Sequence, residues 1–124
     1  MKRENSRVKV VNAANQVGLQ VDATHATGDL NIFPGDVNAP HYVLTNNLSG
    51  NVVVGVNTRN ARRGDVCRVT RNSGTPGAVT MTVVNGPAAS GTTLGRAIAA
   101  SRNGFVEAKF DGTNWICIGV SELT

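Results

Sequence analysis

The last part of the chain constrains the fold most. FVEAKF (residues 105–110) and NWICIGV (114–120) are two apolar-rich runs joined by Asp111-Gly112-Thr113. Asp-Gly between alternating runs is among the strongest short-range signals for a β-hairpin. Read at period 2, Phe105, Trp115 and Cys117 fall on the face opposite Ile116, Ile118 and Val120, so both faces carry apolar groups. An ordinary half-buried hairpin is apolar on one face only. Either the rest of the domain covers both faces here, or one face touches another subunit. Trp115, the only tryptophan, is the ring best suited to anchor such a contact. A core tryptophan at the end of a sandwich is the other reading of the same residue.

The remainder of the chain is punctuated in the same way. In VGLQVDAT (17–24), Val17, Leu19, Val21 and Ala23 share one face, while Gly18, Gln20, Asp22 and Thr24 share the other. That alternation predicts a half-buried strand with the aliphatic set inward. Leu30 and Ile32 continue it after Thr27-Gly28-Asp29, up to the stop at Pro34-Gly35-Asp36. HYVLTNN, NVVVGVNT, GDVCRVTR and AVTMTVVN follow, each closed by Gly, Asn or Ser. Residues 86 to 103 are the least regular; TLGRAIAAS fits a short helical turn or an irregular edge segment. The pattern gives about eight strands with turn signals roughly every 8 to 12 residues. The expected class is all-β, an antiparallel β-sandwich or jelly roll. No helical pattern separates the strands, which argues against βαβ units. No repeat of fixed period is visible, which argues against propellers and β-helices.

At 124 residues the chain fits one domain. Residues 1–7 (MKRENSR) are charged and polar and read as a flexible basic arm, leaving residues 8–124 as a single β-sandwich domain. Basic residues at the start are not followed by an apolar stretch, so no secretory signal is read there, and no run has the length of a membrane span. Synthesis in a reducing cytoplasm is expected. Cys67 and Cys117, far apart in apolar runs, form neither a metal knuckle nor a small disulfide framework. Buried free thiols are the default, and a single bridge between them stays open.

Catalytic chemistry finds little footing. His25 and His41, the two histidines, sit in no metal-binding spacing, and no metal or cofactor is expected. Asp22, Asp29, Asp36, Asp65, Glu107 and Asp111 mostly fall at turns, where Asp serves local backbone hydrogen bonds. No Gly-x-Ser-x-Gly elbow marks a nucleophile, so the chain is not expected to be an enzyme. Arg63-Gly64-Asp65 spells an adhesion tripeptide, but Gly64-Asp65 is better read as the turn that launches VCRVT.

The formal charge is +4, with basic residues concentrated at Lys2, Arg3, Arg7 and Lys9 and again at Arg59, Arg62, Arg63, Arg68 and Arg71. Nucleic-acid sites interleave rings with cations, and none are interleaved here. Paired carboxylates on a protein partner suit Arg forks better, with a solvated loop as the plainer alternative.

The ending G-F-V-E-A-K-F-D-G-T-N-W-x-x-x-G, with Gly64-Asp65-Val66 before it, resembles small structural proteins of tailed bacteriophages. In those a final "DGTxW" hairpin closes a β-sandwich. Tail-fibre and tailspike modules carry the same motifs, usually inside longer chains with coiled-coil or β-helical shafts. A short chain with a basic arm looks more like a capsid decoration (cement) protein of the jelly-roll kind. That resemblance, which covers about the last half of the chain, implies a virion protein on the capsid exterior. It would bind the major capsid protein, form a homo-dimer or homo-trimer, and require neither nucleic acid nor membrane. The interface residues expected are Lys2, Arg3, Arg7, Arg59, Arg62, Arg63 and Trp115. A tail-fibre or receptor-binding module recognising a host surface glycan is the alternative, and an enzyme on a β-sandwich is a weaker one.

Overall fold

The computed structural model describes residues 18–123. The arm expected over residues 1–7, with Lys2, Arg3 and Arg7, lies outside the described residues, as does the start of the domain from residue 8 to 17.

Nine strands form, with no helix among the described residues: β1 (Leu19–Asp22), β2 (Gly28–Ile32), β3 (His41–Leu44), β4 (Val52–Val56), β5 (Val66–Arg71), β6 (Met81–Asn85), β7 (Thr92–Thr93), β8 (Asn103–Phe110) and β9 (Trp115–Leu123). The all-β expectation holds, with nine strands rather than about eight. They make a five-stranded sheet, ordered β1-β3-β5-β8-β9, and a four-stranded sheet, ordered β2-β4-β6-β7.

The pairing departs from the antiparallel expectation. β1/β3, β3/β5, β2/β4 and β4/β6 are parallel, and only β5/β8, β8/β9 and β6/β7 are antiparallel. Parallel neighbours need a crossover, usually a helix. Here the crossover is a strand of the opposite sheet, so β1 to β6 wind as a coil with two strands per turn. The winding of a β-helix is therefore present where the lack of a repeat argued against one. Its period is hidden because the turns are unequal. Leu19 pairs with His41, 22 positions on, and His41 with Arg68, 27 on. Gly28 pairs with Val52, 24 on, and Val52 with Met81, 29 on.

Both sheets close on one hydrophobic cluster, built from Val52, Val54 and Val56 of β4, Val69, Met81, Val83, Val106, Phe110 and Trp115 among others. Three valines at period 2 on β4 face inward because Val is stiff at χ1 and packs well on a pleat. On the opposite side of the four-stranded sheet the chain itself closes over Gly55. Asn31 Oδ1 accepts the N–H of Ala88 at 2.8 Å, and a Cβ on Gly55 would strike Ala88 N, Gly86 O and Asn31 Oδ1. Only Gly permits so close an approach. Residues 86–103 hold β7 and a bridge from Met81 to Ile98, which is the edge-segment reading of TLGRAIAAS and not the helical one.

Arg71 is fully buried. Its Nη1 donates to Val79 O at 2.7 Å and Nη2 to Gly77 O at 3.2 Å, pinning the β5–β6 loop, while its Nε has no partner. Burial pulls its pKa below the usual guanidinium value. The cysteines do not bridge. Cys67 and Cys117 both pair with Ala108, from either side. Two strand spacings separate them by about 10 Å, beyond the ~7 Å limit for a disulfide. Both thiols are free, and burial pushes that of Cys67 up to about 12.

Candidate docking surface

The loop between β4 and β5 carries three of the expected interface residues, and the fold uses two of them internally. Arg59 Nε donates to Asp36 Oδ2 at 2.8 Å, and its guanidinium lies 4.1 Å above the Phe33 ring, tying the loop to the preceding turn of the coil. Arg63 sits over Gly112 of the closing hairpin, its Nη2 3.3 Å from where a Cβ would stand; the N–H groups of Asn114 and Thr113, and to a lesser degree the Arg63 charge, hold the Asp111 carboxyl below its usual range. Arg62 is exposed, with its backbone N–H bonded to Asp65 Oδ2 at 2.9 Å. Asp65 is held as well: its carbonyl accepts Phe110 N at 2.8 Å, so Arg63-Gly64-Asp65 is a structural turn that bonds to the hairpin.

The hairpin shows why Trp115 follows Asp-Gly-Thr-Asn. Asp111 Oδ1 accepts the N–H groups of Thr113 and Asn114, each at 2.8 Å, and Asp111 N donates to Asn114 O at 3.0 Å. Gly112 takes φ +106, which a side chain would resist. Asn85 of the other sheet then bolts the turn down, donating to Asn114 Oδ1 at 3.0 Å and accepting Trp115 N at 2.9 Å. The indole drops into the core, 5.2 Å from the Phe110 ring, with Nε1 donating to Asn57 O at 3.1 Å. Only 2% of Trp115 is exposed. Of its two readings, the core tryptophan is the one realised, and the ring presents no face to a partner.

A β-bulge rearranges the rest of β9. Ala108 pairs with Cys117 but Glu107 pairs with Gly119, leaving Ile118 as the extra residue. The shift turns Val120 inward against the core, away from Ile116 and Ile118. Phe105 points the other way from the expectation, sharing the outer face with Ile116. Arg68 covers it at 4.2 Å and reaches Glu107 Oε2 through Nε at 3.3 Å and Nη2 at 3.1 Å.

The larger reversal is at β1. Leu19 (41% exposed) and Val21 (55%) point outward, while Gln20 and Asp22 point inward at the mouth of the core. There the polar pair satisfies backbone that nothing else reaches. Gln20 Oε1 accepts Ala39 N at 3.1 Å and Asn38 Nδ2 at 3.2 Å. Asp22 accepts the Tyr42 hydroxyl at 2.5 Å and the N–H groups of Thr24 and His25 at 3.0 Å. Burial opposes the Asp22 charge, but these donors outweigh it and keep the carboxyl below its usual range.

The outcome is an outer face on the five-stranded sheet that is aliphatic at both sides. Leu19 and Val21 stand on one edge and Ile116 (49%) and Ile118 (53%) on the other, with Val66 between them. The Arg68–Glu107 pair neutralises its centre, where His41 Nε2 meets Thr70 Oγ1 at 2.8 Å. Beside β9 a groove of about 340 Å³ is floored by Ile116 and Ile118 and rimmed by Arg63 and Lys109. Sequence reasoning found the hairpin half of this face and missed the β1 half. The readable signal was Asp22 and Gln20 two residues apart before the Ser/Thr/Asn-free strand HYVL, whose Tyr42 needed a hydroxyl acceptor.

Among the described residues no group of three or more His, Cys, Asp or Glu converges to hold a metal ion, and no helix is long and apolar enough to cross a membrane. Set against protein-family models, curated proteins and solved structures, the chain matches none of them.

Proposed function

We propose that this chain is a viral structural protein, a decoration (cement) protein that binds the outside of a phage capsid and stabilises contacts between major-capsid subunits. The observation that carries the reading is the pair of exposed aliphatic edges on the five-stranded sheet, with outward Leu19 and Val21 on one and Ile116 and Ile118 on the other. Patches of this kind mark protein contacts. The Arg68–Glu107 ion pair at the centre of that sheet is closed on itself. Charge supports a second contact through the amino-terminal arm. Lys2, Arg3, Arg7 and Lys9 against Glu4 put +3 of the formal +4 in the first nine residues, the part suited to an acidic shell surface.

The aromatic rings weigh against the glycan reading. Tyr42, Phe110 and Trp115 are buried, and Phe33 and Phe105 lie under Arg59 and Arg68, so none is a bare platform for a sugar. One observation does favour the fibre or spike alternative: the parallel winding of β1 to β6 suits a β-helical shaft better than a jelly roll.

The deciding experiment mixes purified protein with undecorated heads and images them. Ordered density outside the shell is expected, and its loss on deleting residues 1–9, with the fold intact, assigns the arm. Absence of density at saturating protein, or binding on a glycan array, would overturn the reading.

A further inference from the structure

The two sheets end together on one side of the molecule. β7 is the last strand of the four-stranded sheet and β9 the last of the five-stranded sheet, and the two do not pair. A cleft of about 390 Å³ opens between them, lined by Asn85, Thr92 and Thr93 on one wall and by Asn114 and Cys117 on the other, with Leu94 between. Both of its ends are fixed. At one, Asn85 Nδ2 donates to Asn114 Oδ1 at 3.0 Å. At the other, Gly95 comes so close that a Cβ on it would lie 2.9 Å from Cys117 Sγ. β7 stops after two residues, and Gly95 turns the chain aside at φ +66.

Strand pairing dictates which way the main chain of each wall points. Leu94 N donates to Val83 O of β6 at 2.7 Å. Thr93, opposite Val84, therefore turns its N–H and C=O away from β6 and toward the cleft. On β8, Phe110 N donates to Asp65 O at 2.8 Å, away from β9. Its partner Trp115 and, two residues on, Cys117 turn their main-chain groups away from β8 in the same way, and Trp115 N reaches Asn85 Oδ1 at 2.9 Å. Thr93 N and O, Trp115 O, and Cys117 N and O are left over, with no hydrogen bond among the described residues. Such groups recur at every second residue, about 7 Å along a strand. None of the residues lining the cleft carries a charge.

An unpaired strand edge is matched by another main chain, which presents the same groups at the same spacing. A charged ligand would find no counter-charge in these walls. A sugar would find no ring to stack on, because the aromatic residue of the cleft, Trp115, is 2% exposed. We infer that the cleft between β7 and β9 takes an extended, uncharged peptide segment of a partner protein, which adds to the Trp115–Cys117 edge of β9 and turns its other edge to Thr93. The walls run for on the order of 10 Å, the length of about three extended residues. β1 forms the opposite edge of the same sheet, four strand spacings or about 19 Å from β9. Such a partner need not be a capsid protein.

Titrating the isotope-labelled full chain with acetyl-Thr-Val-Thr-Val-Thr-amide, followed by amide chemical shifts, tests it. Saturable shifts at Thr93 and Cys117 are expected at millimolar peptide, the range open to a few main-chain hydrogen bonds. The same peptide N-methylated at alternate residues keeps every side chain but loses the donors of one edge, and should bind about tenfold more weakly or worse. Thr93→Pro removes one N–H facing the cleft and spares the Leu94–Val83 bond; it should weaken the unmodified peptide about tenfold. Thr93→Val keeps the main chain and should stay within about twofold. Far-UV circular dichroism checks that both variants fold, and the N-methylated peptide tests the wild type whether or not they do. Equal binding of the two peptides overturns the inference, as does the lack of any saturable shift, or shifts produced by maltose and not by peptide. Slow hydrogen exchange at Thr93 and Cys117 in the chain alone overturns it too, because the cleft would then already be filled by this chain or a second copy. Peptide binding with bare heads sinks the capsid reading alone, and decorated heads without peptide binding sink this inference alone.

Discussion

The two sheets of this protein wind together, turn by turn, yet finish their outer faces in opposite ways. On the four-stranded sheet the chain closes over one spot, Gly55: Ala88 comes down beside it, bonded to Asn31, and no room is left for a side chain. The five-stranded sheet, built from the same coil, carries Leu19, Val21, Ile116 and Ile118 outward, between 41% and 55% exposed. Burying aliphatic surface is worth roughly 25 cal/mol per Å², and the outward side chains of the five-stranded sheet leave about half of theirs in water. Inner faces do not distinguish the sheets. Position in a coil therefore says little about what a strand does with its second face; the loops decide it.

Substitutions break this comparison at different depths. The largest effect belongs to the residue both sheets share. Trp115→Ala empties the mouth of the core and leaves Asn57 O without its indole donor, and should cost about 3–5 kcal/mol. Urea unfolding followed by circular dichroism measures it; a loss under about 1 kcal/mol would mean the ring is not the plug described. On the roofed sheet, Gly55→Ala forces a methyl into Ala88 and Gly86 and should cost about 1–3 kcal/mol. On the open sheet, Val21→Thr should stay within about 0.5 kcal/mol when unfolding is measured at low protein concentration. Equal losses at Gly55 and Val21 would erase the distinction between the faces.

The smallest effect is a pH slope from the open face. Burial first, and Arg68 second, hold the His41 pKa below its ordinary value. The folded state therefore resists protonation that the unfolded chain accepts. The contribution is fully present above the unfolded value of about 6.5 and is lost as pH falls through the lower folded value. His41→Gln should flatten the stability curve just below pH ~6.5; an unchanged slope would assign it elsewhere.

What could be read beforehand divides along physical lines. Strands announced themselves through β-branched alternation, and the closing hairpin through Asp111-Gly112, because these signals are local. The parallel pairing did not, since unequal turns of 22 to 29 residues leave no period to find. The β1 inversion was invisible for another reason. Gln20 and Asp22 face inward to satisfy Ala39, Tyr42, Thr24 and His25, and hydrogen-bond demand at the mouth of a core overrides the hydrophobic pattern. Likewise the Ile118 bulge moved Val120 to the core with no mark in the alternation. The arginine-rich loop was located correctly, but the partners of Arg59 and Arg63 are distant in sequence and only the winding brings them together.

That winding also orders how the chain comes together. β8 and β9 are neighbours in sequence, joined across Asp111–Asn114, whereas each parallel pair must first close a span several times longer. Closure entropy grows with span, so the β8–β9 hairpin carries a far smaller closure cost than any parallel pair of the coil, which has to bring together residues 22 to 29 positions apart.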